Sequence, residues 1–498
     1  MKVVQLIMGT RQQALFIIFG GTGDLAKRKL YPSLFELYKK GFLKENFAVI
    51  GTARRPWTDE YFQDVVRKAV TDADTSKEDA DEFAQHFYYQ SHNVNDTEHY
   101  VTLRKLAQRL DQKYSIGGNR LFYLAMSPRF FGTIAEHLKS QNIVTDNGYN
   151  RLIIEKPFGH DLASAKDLNN SIGRYFAEDS VFRIDHYLGK EMIQNIAAVR
   201  FGNNLFRSLW NNRYIDNIQI TLSEALGVEE RAGYYETAGA LRDMVQNHIL
   251  QIVSLLTMNM PASFTESDIR REKIYALKAL QVYSPEQVEK NFVRAQYGES
   301  SAGLKGYRQE EQIADDSKTE TFVAGKVFVN SENFSGVPIY IRTGKRLSKK
   351  TTRIDIVFKD VPKNIFGSER LGKNILTIIV EPKGEIYLQM NVKKIGQNFG
   401  LKVQKLDLLQ VEDNSVQIPE AYEKLILDVL RGDATNFTHW EEVAYSWKFV
   451  DAIRNAWDNQ QIPLPEYASG SMGPQEADDL LARDDHHWIF TSENDNRD

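Results

Sequence analysis

Acid, imidazole and ammonium groups crowd into eight residues at Arg183-Ile184-Asp185-His186-Tyr187-Leu188-Gly189-Lys190. Carboxylate and imidazole together offer acid–base chemistry. Lys190, four positions past His186, converges with it on one anion if a helix begins there; otherwise the segment is a helix cap with solvated neighbours. Asp185 and His186 are adjacent and need not bond each other. A second imidazole, His248, lies in Arg242-Asp243-Met244-Val245-Gln246-Asn247-His248. An α-helical wheel puts it on a stripe with Leu241, Met244, Ile252 and Leu255. That placement suits either a satisfied core histidine or a desolvated base held by a carboxylate. Asp243 projects from a different side of the same wheel and reads as a separate ligand contact. The run Arg342 to Lys350 concentrates Lys345, Arg346, Lys349 and Lys350, either an anion site beyond a strand end or a solvated basic loop.

A different group points to a dinucleotide. The apolar run Ala14–Phe19 stops at Gly20-Gly21-Thr22-Gly23-Asp24-Leu25-Ala26. A glycine turn between a strand and a helix lets backbone N–H groups approach a pyrophosphate, and the helix start favours its charge. Ala26 stands where the fingerprint's last glycine falls. A second apolar run ends in Arg54-Arg55, with Asp59 the first acid after it. Enzymes that prefer NAD usually carry an acid at this strand end, whereas an arginine pair suits the 2′-phosphate of NADP. Lys156, in Glu155-Lys156-Pro157-Phe158-Gly159, would point a cation toward cofactor or phosphorylated substrate from the end of another strand.

These groups need a parallel sheet to hold them. Short apolar runs at Ala14–Phe19, Phe47–Ile50, Leu121–Ala125, Leu152–Ile154 and Val181–Ile184 alternate with polar, helix-like stretches, including 58–112. Asp24 is expected to cap the first helix, Pro32 to interrupt or kink it, and Gly41 to end it. This pattern implies a Rossmann-like α/β domain over residues 1–185. From 186 to 498 the pattern changes to helices near 189–201 and 236–258, then alternating strands at Asn217–Glu224, Thr321–Val329, Pro338–Arg342, Arg353–Phe358, Ile375–Val380 and Glu385–Val392. A larger α+β domain with a mainly antiparallel sheet is expected there.

Composition narrows the function. The 498 residues carry a net charge of −5, 42% hydrophobic and 26% charged residues, and no cysteine. Disulfides and thiolate metal sites are excluded, and the charge argues against a dedicated nucleic-acid binder. No close-set ligand motif suggests a metal, and no P-loop or nucleophile elbow occurs. Neither a signal peptide nor a spanning segment is visible, so a cytoplasmic protein is expected.

The ordered set GTGDLAKRKLYP, EKPFG, RIDHYLGKE, RDMVQNHILQ and IRTGKRL resembles glucose-6-phosphate dehydrogenases of the bacterial type, from about residue 13 to beyond 450. The resemblance implies oxidation of D-glucose 6-phosphate to 6-phospho-D-glucono-1,5-lactone with NADP, NAD being a possible second acceptor. It opens the pentose phosphate pathway. It also implies a homodimer or homotetramer formed through the large sheet. By it, His248 is the general base and Asp185 the carboxylate that orients it. His186, Tyr187 and Lys190 bind the 6-phosphate, helped by Lys156 and Lys350. Glu224, Asp243 and Lys345 hold sugar hydroxyls. Gly20, Gly21, Thr22, Gly23, Asp24, Leu25 and Arg54 line the dinucleotide site, with Tyr123 and Lys156 nearby. Two rivals are another Rossmann-family sugar oxidoreductase and a non-catalytic NADPH-binding sensor.

Overall fold

The computed structural model describes residues 11–71, 75–300, 303–366, 371–396, 399–410, 419–460 and 462–491. They form two compact units. One comprises Met1–Gly189, Thr265–Ser267 and Ile418–Val443; the other comprises Lys190–Phe264, Asp268–Gln417 and Ala444–Asp498.

The first unit is built on six parallel strands: β1 (Ala14–Phe19), β2 (Phe47–Ala53), β3 (Phe87–Ser91), β4 (Arg120–Leu124), β5 (Asn150–Ile154) and β6 (Val181–Arg183). Their order is β3-β2-β1-β4-β5-β6. The sheet therefore reverses direction of growth beside β1, the switch point at which such sheets bind ligands. All six residues of β1 are buried, which explains its unbroken apolar run: both faces carry helices. Helix Ala421–Arg431 buries Tyr422, Leu425, Ile426, Val429 and Leu430 in the same core as β1 and β2. These positions follow helical spacing, so the helix has one apolar stripe to cover.

The second unit holds a sheet of nine strands: β7 (Ile215–Ser223), β8 (Phe292–Tyr297), β9 (Phe322–Val327), β10 (Ile339–Gly344), β11 (Thr351–Phe358), β12 (Ile375–Glu381), β13 (Glu385–Lys393), β14 (Leu401–Gln410) and β15 (Glu466–Tyr467). The order is β14-β13-β12-β11-β7-β10-β9-β8-β15. Neighbours are antiparallel except at β7/β10 and β8/β15. The expected fold class, a Rossmann-like α/β unit and a larger α+β unit with a mainly antiparallel sheet, is what forms. Among the described residues no helix is long and apolar enough to cross a membrane.

Several local expectations are corrected. One cut at 185/186 does not separate the units, because 418–443 returns to the first core late in the chain. The polar stretch 58–112 contains β3 between helices Lys77–Ala84 and Thr97–Tyr114. Phe87-Tyr88-Tyr89 supplies the aromatic strand propensity that the polar surroundings conceal. Asp24 lies inside the first helical turn instead of capping it, and its carboxylate sits 3.4 Å from Arg28. Pro32 does not break the helix. The π-wound Ala26–Leu30 runs without a break into the α-helix Tyr31–Lys39, so the winding changes just before Pro32 and the chain stays helical through it. Gly41 (φ +79°) does end the segment. Strands β8, β14 and β15 were not anticipated.

Candidate active site

In the first unit the carboxyl ends of β1, β2 and β5 carry the expected nucleotide residues except Tyr123, which lies within β4, and the end of β6 carries Asp185 and His186. Gly20 has φ +94°, and a Cβ there would collide with the carbonyl of Ala125, so only glycine fits the turn. The Gly20 and Gly21 amides donate to the Thr52 carbonyl at 2.9 and 3.1 Å, and Gly23 N–H donates to Gly20 O at 2.9 Å. These three N–H groups shape the turn. Approach of a pyrophosphate therefore falls to the backbone from Thr22 through Asp24 and Leu25, where the helix begins. A tight glycine turn that admits no side chain at Gly20, leading into the N-terminus of a helix, fits a dinucleotide. Arg54 is exposed at the end of β2, while Arg55 lies over the Trp57 ring at 5.5 Å. Asp59 accepts the Tyr89 N–H at 2.6 Å, so the first acid after β2 is held by backbone.

Tyr123 is a core residue, 2% exposed. Its hydroxyl donates to Glu155 Oε1 at 2.5 Å, and Tyr422 bonds the same carboxyl. This group was missed in the sequence, where Lys156 drew attention. Burial, the largest cause, raises Glu155 to about 7, against the opposing pull of the two tyrosines and Lys156. Asp185 is buried and accepts the Tyr187 N–H at 3.0 Å, while its own carbonyl accepts Leu188 N–H at 3.0 Å. It therefore closes a tight turn after β6. His186 faces Tyr187 at 4.9 Å and lies parallel to Tyr422 at 6.4 Å. The following helix starts only at Glu191, with Lys190 in extended backbone before it. The four-residue helical spacing assumed between His186 and Lys190 does not exist.

In the second unit the one interior parallel pair does the gathering. β7 and β10 run side by side with Ser223 opposite Gly344. Glu224 and Lys345 therefore leave the sheet at the same end, and the Lys345 ammonium bonds Glu224 Oε2 at 2.6 Å. Thr351, first in β11, also faces Ser223, which adds Lys350. β12 ends there too, at Glu381. Lys190 lies 2.7 Å and Lys350 3.9 Å from the two oxygens of Glu381, so both ammonium groups reach one anionic centre. Glu381 escaped the sequence reading, since only strand register brings it to these lysines. Arg342, by contrast, is buried against Trp488 at 4.2 Å, donates to Thr221 and to the Phe490 carbonyl, and is pushed down to about 9 by burial. It is structural, so the basic run divides into two roles.

His248 and Asp243 lie on helix Leu241–Ile249, which packs on β7 and β10. Both are buried. The expected single helix over 236–258 is three: Ala232–Ala240, the π-wound Leu241–Ile249, and Leu250–Thr257, with a break at Gly239 (φ +64°). In π-winding the bonds run from i to i+5. Residues five apart, such as Asp243 and His248, approach one face instead of the nearly opposite faces of an α-helix. The α-wheel used on the sequence does not apply here. Asp243 accepts the Tyr234 hydroxyl at 3.2 Å. Burial carries the Tyr235 hydroxyl far above its ordinary range, with Asp243 and Glu224 adding to the effect; the Lys345 ammonium lies 5.0 Å over its ring. Tyr235 thus sits amid the residues expected to hold sugar hydroxyls.

The sequence matches the profile of the glucose-6-phosphate dehydrogenase NAD binding domain over residues 17–195 and that of the C-terminal domain over 197–489. It is 53% identical over 481 residues to glucose-6-phosphate 1-dehydrogenase of Streptococcus pneumoniae, covering 96% of this chain and 97% of the relative. The Leuconostoc mesenteroides enzyme is 49% identical, with 96% and 99% covered. A solved glucose-6-phosphate dehydrogenase in complex with its substrate glucose 6-phosphate superposes with a TM-score of 0.90 at 36% identity, covering 97% of this chain and all of that one. The chain belongs to the glucose-6-phosphate dehydrogenase family.

Proposed function

We propose that this chain oxidises D-glucose 6-phosphate at C1 to 6-phospho-D-glucono-1,5-lactone, the entry step of the pentose phosphate pathway, with NADP as the preferred acceptor. This reading allows NAD as a second acceptor. The observation that carries the reading is the shared sheet end of the second unit, where Glu224, Lys345 and Lys350 leave β7, β10 and β11 and Lys190 meets Glu381 of β12, in a sheet on whose β7 and β10 the helix bearing His248 packs.

His248 takes the proton from the C1 hydroxyl, with Asp185 keeping the role of the carboxylate in the pair. Lys190 and Lys350 grip the 6-phosphate, with His186, Tyr187 and Lys156 assisting. Neutral glucose brings no phosphate to those cations, so it is a poor substrate. Glu224, Asp243 and Lys345 take the sugar hydroxyls. A bound nicotinamide would supply the hydride acceptor; loss of one hydride from C1, together with the hydroxyl proton taken by His248, oxidises the hemiacetal carbon by two electrons. Burial of His248 keeps bulk water from its ring.

NADP preference is supported by exposed Arg54 and by the engagement of Asp59 with Tyr89. A homodimer or homotetramer through the large sheet is supported by its outer strand, where β14 exposes Val403, Leu406, Leu408 and Leu409. A cytoplasmic location suits a chain without cysteine. His248→Asn tests the chemistry. It is expected to lose about 10²–10⁴ in kcat while glucose 6-phosphate still binds in calorimetry; near-normal turnover removes the base assignment.

A further inference from the structure

The helix carrying His248 does not begin freely. Its first amide, Leu241 N–H, donates to Glu320 Oε1 at 3.1 Å, and the preceding Ala240 N–H donates to the Glu320 carbonyl at 3.0 Å. Glu320 is 0% exposed. Its other oxygen receives Arg454 Nη2 at 2.5 Å, from a residue 134 positions later in the chain. At Gly239 a Cβ would strike the same carboxylate, and only glycine readily takes that residue's positive φ. The chain is thus shaped to admit Glu320 at this helix end. Thr321, the next residue, accepts Lys345 N–H at 3.0 Å through its carbonyl. One dipeptide therefore braces both the helix of His248 and the strand end of Lys345.

We propose that Glu320, locked by Arg454, is a positioning residue for His248, setting the axial position and rotation of helix Leu241–Ile249. This rests on His248 being the base, as proposed above. A buried carboxylate at a helix N-terminus is favoured by the dipole, and its charge is met by a guanidinium whose side chain is 13% exposed. Each of the three parts needs the other two. Stretching one hydrogen bond or turning the first residue moves the imidazole at the helix's far end, and a displacement of about 1 Å costs up to ~10² in rate. Arg242, Arg294, Arg454, Asp451 and Asp458 supply the surrounding charges, and the hydroxyls of Tyr235 and Tyr307 also face Glu320. Loss of the carboxylate charge leaves an excess of cations around the helix start, which lowers the proton affinity of groups on it.

The test is Glu320→Gln in the full chain. The amide oxygen still accepts from Leu241 N–H, but Arg454 loses its counterion. Calorimetric titration with glucose 6-phosphate counts the folded sites, and NADP binding provides an independent count. Expected are full stoichiometry for both ligands, a kcat about 10- to 100-fold lower per counted site, KM for the sugar phosphate changed less than threefold, and the acid limb of the kcat profile moved to lower pH. Wild-type kcat and an unmoved limb in the folded variant overturn the proposal, as does a loss of activity that simply follows a loss of sites. Should Glu320→Gln fail to fold, Arg454→Lys keeps the charge with poorer geometry. It is expected to show a smaller loss in the same direction, and wild-type kcat there overturns the proposal. His248→Asn, measured alongside, separates the two readings. If it retains turnover, the base assignment falls; if it loses turnover while the Glu320 and Arg454 variants keep theirs, only the positioning role falls.

Discussion

Glu155 makes the first unit's stability depend on pH in a direction opposite to that of most carboxylates. Burial raises it from 4.5 to about 7, and the hydroxyls of Tyr123 and Tyr422 hold it. The folded chain therefore binds this proton more tightly than the unfolded chain. The contribution is complete below about 4.5 and is lost as pH rises through about 7. Each tenfold change in proton affinity is worth about 1.4 kcal/mol, which sets a ceiling of about 3 kcal/mol. Part of the residue's surface stays open to water, and solvent screening reduces the expected effect to roughly 1–2 kcal/mol. Glu155→Gln keeps the shape and hydrogen-bonding capacity and cannot ionise. Hydrogen exchange at the amides of β5, followed from pH 5 to 8.5 in both proteins and corrected for intrinsic rates, reads the opening free energy of this unit. The wild-type chain is expected to lose about 1–2 kcal/mol relative to the variant between pH 5 and 8, with other ionisations cancelling in the difference. Parallel curves would refute a raised Glu155.

Three further outcomes follow from particular contacts. Arg54→Ala is expected to raise KM for NADP at least tenfold and leave KM for NAD within about twofold, because only NADP carries the 2′-phosphate; equal losses remove its assignment. Lys190→Ala is expected to raise KM for glucose 6-phosphate about tenfold or more, the cost of one charge-assisted bond, with KM for NADP little changed; similar rises in both contradict the phosphate role. Arg200 is buried, donates to the carbonyls of Leu255 and Met258 at the end of helix Leu250–Thr257, and is lowered to about 9 by burial. Arg200→Met strands those carbonyl oxygens and is expected to lose about 2 kcal/mol of stability in urea unfolding; a loss below about 0.5 kcal/mol contradicts that capping role.

Features that depend on near neighbours could be read in the sequence. The apolar run of β1 stopping at glycine, the arginines after β2 and the RIDHYLGK segment each lie within a few residues, and their chemistry is local. β1 needs both faces covered, so its pattern identifies it before any packing is known. The switch from lone apolar runs to alternating strands likewise reveals a change of sheet type, because a half-buried strand must alternate.

What escaped was whatever depends on partners far apart in the chain. Tyr123, Glu155 and Tyr422 span three distant segments; so do Leu241, Glu320 and Arg454. Lys190, Lys350 and Glu381 meet at the end of the β11/β12 pair, where a register shift between Thr352 and Arg353 sets Glu381 opposite Thr352. Helix type was hidden for the same reason. Leu241 to Ile249 has an acceptable α-helical pattern, yet a positive-φ glycine and a buried carboxylate start it elsewhere and it winds as a π-helix. Residue order alone determined which groups were available and which strands could hold them. Only tertiary structure decided which charges share an environment, because an ion pair buried from water depends on separation in space and not on separation along the chain.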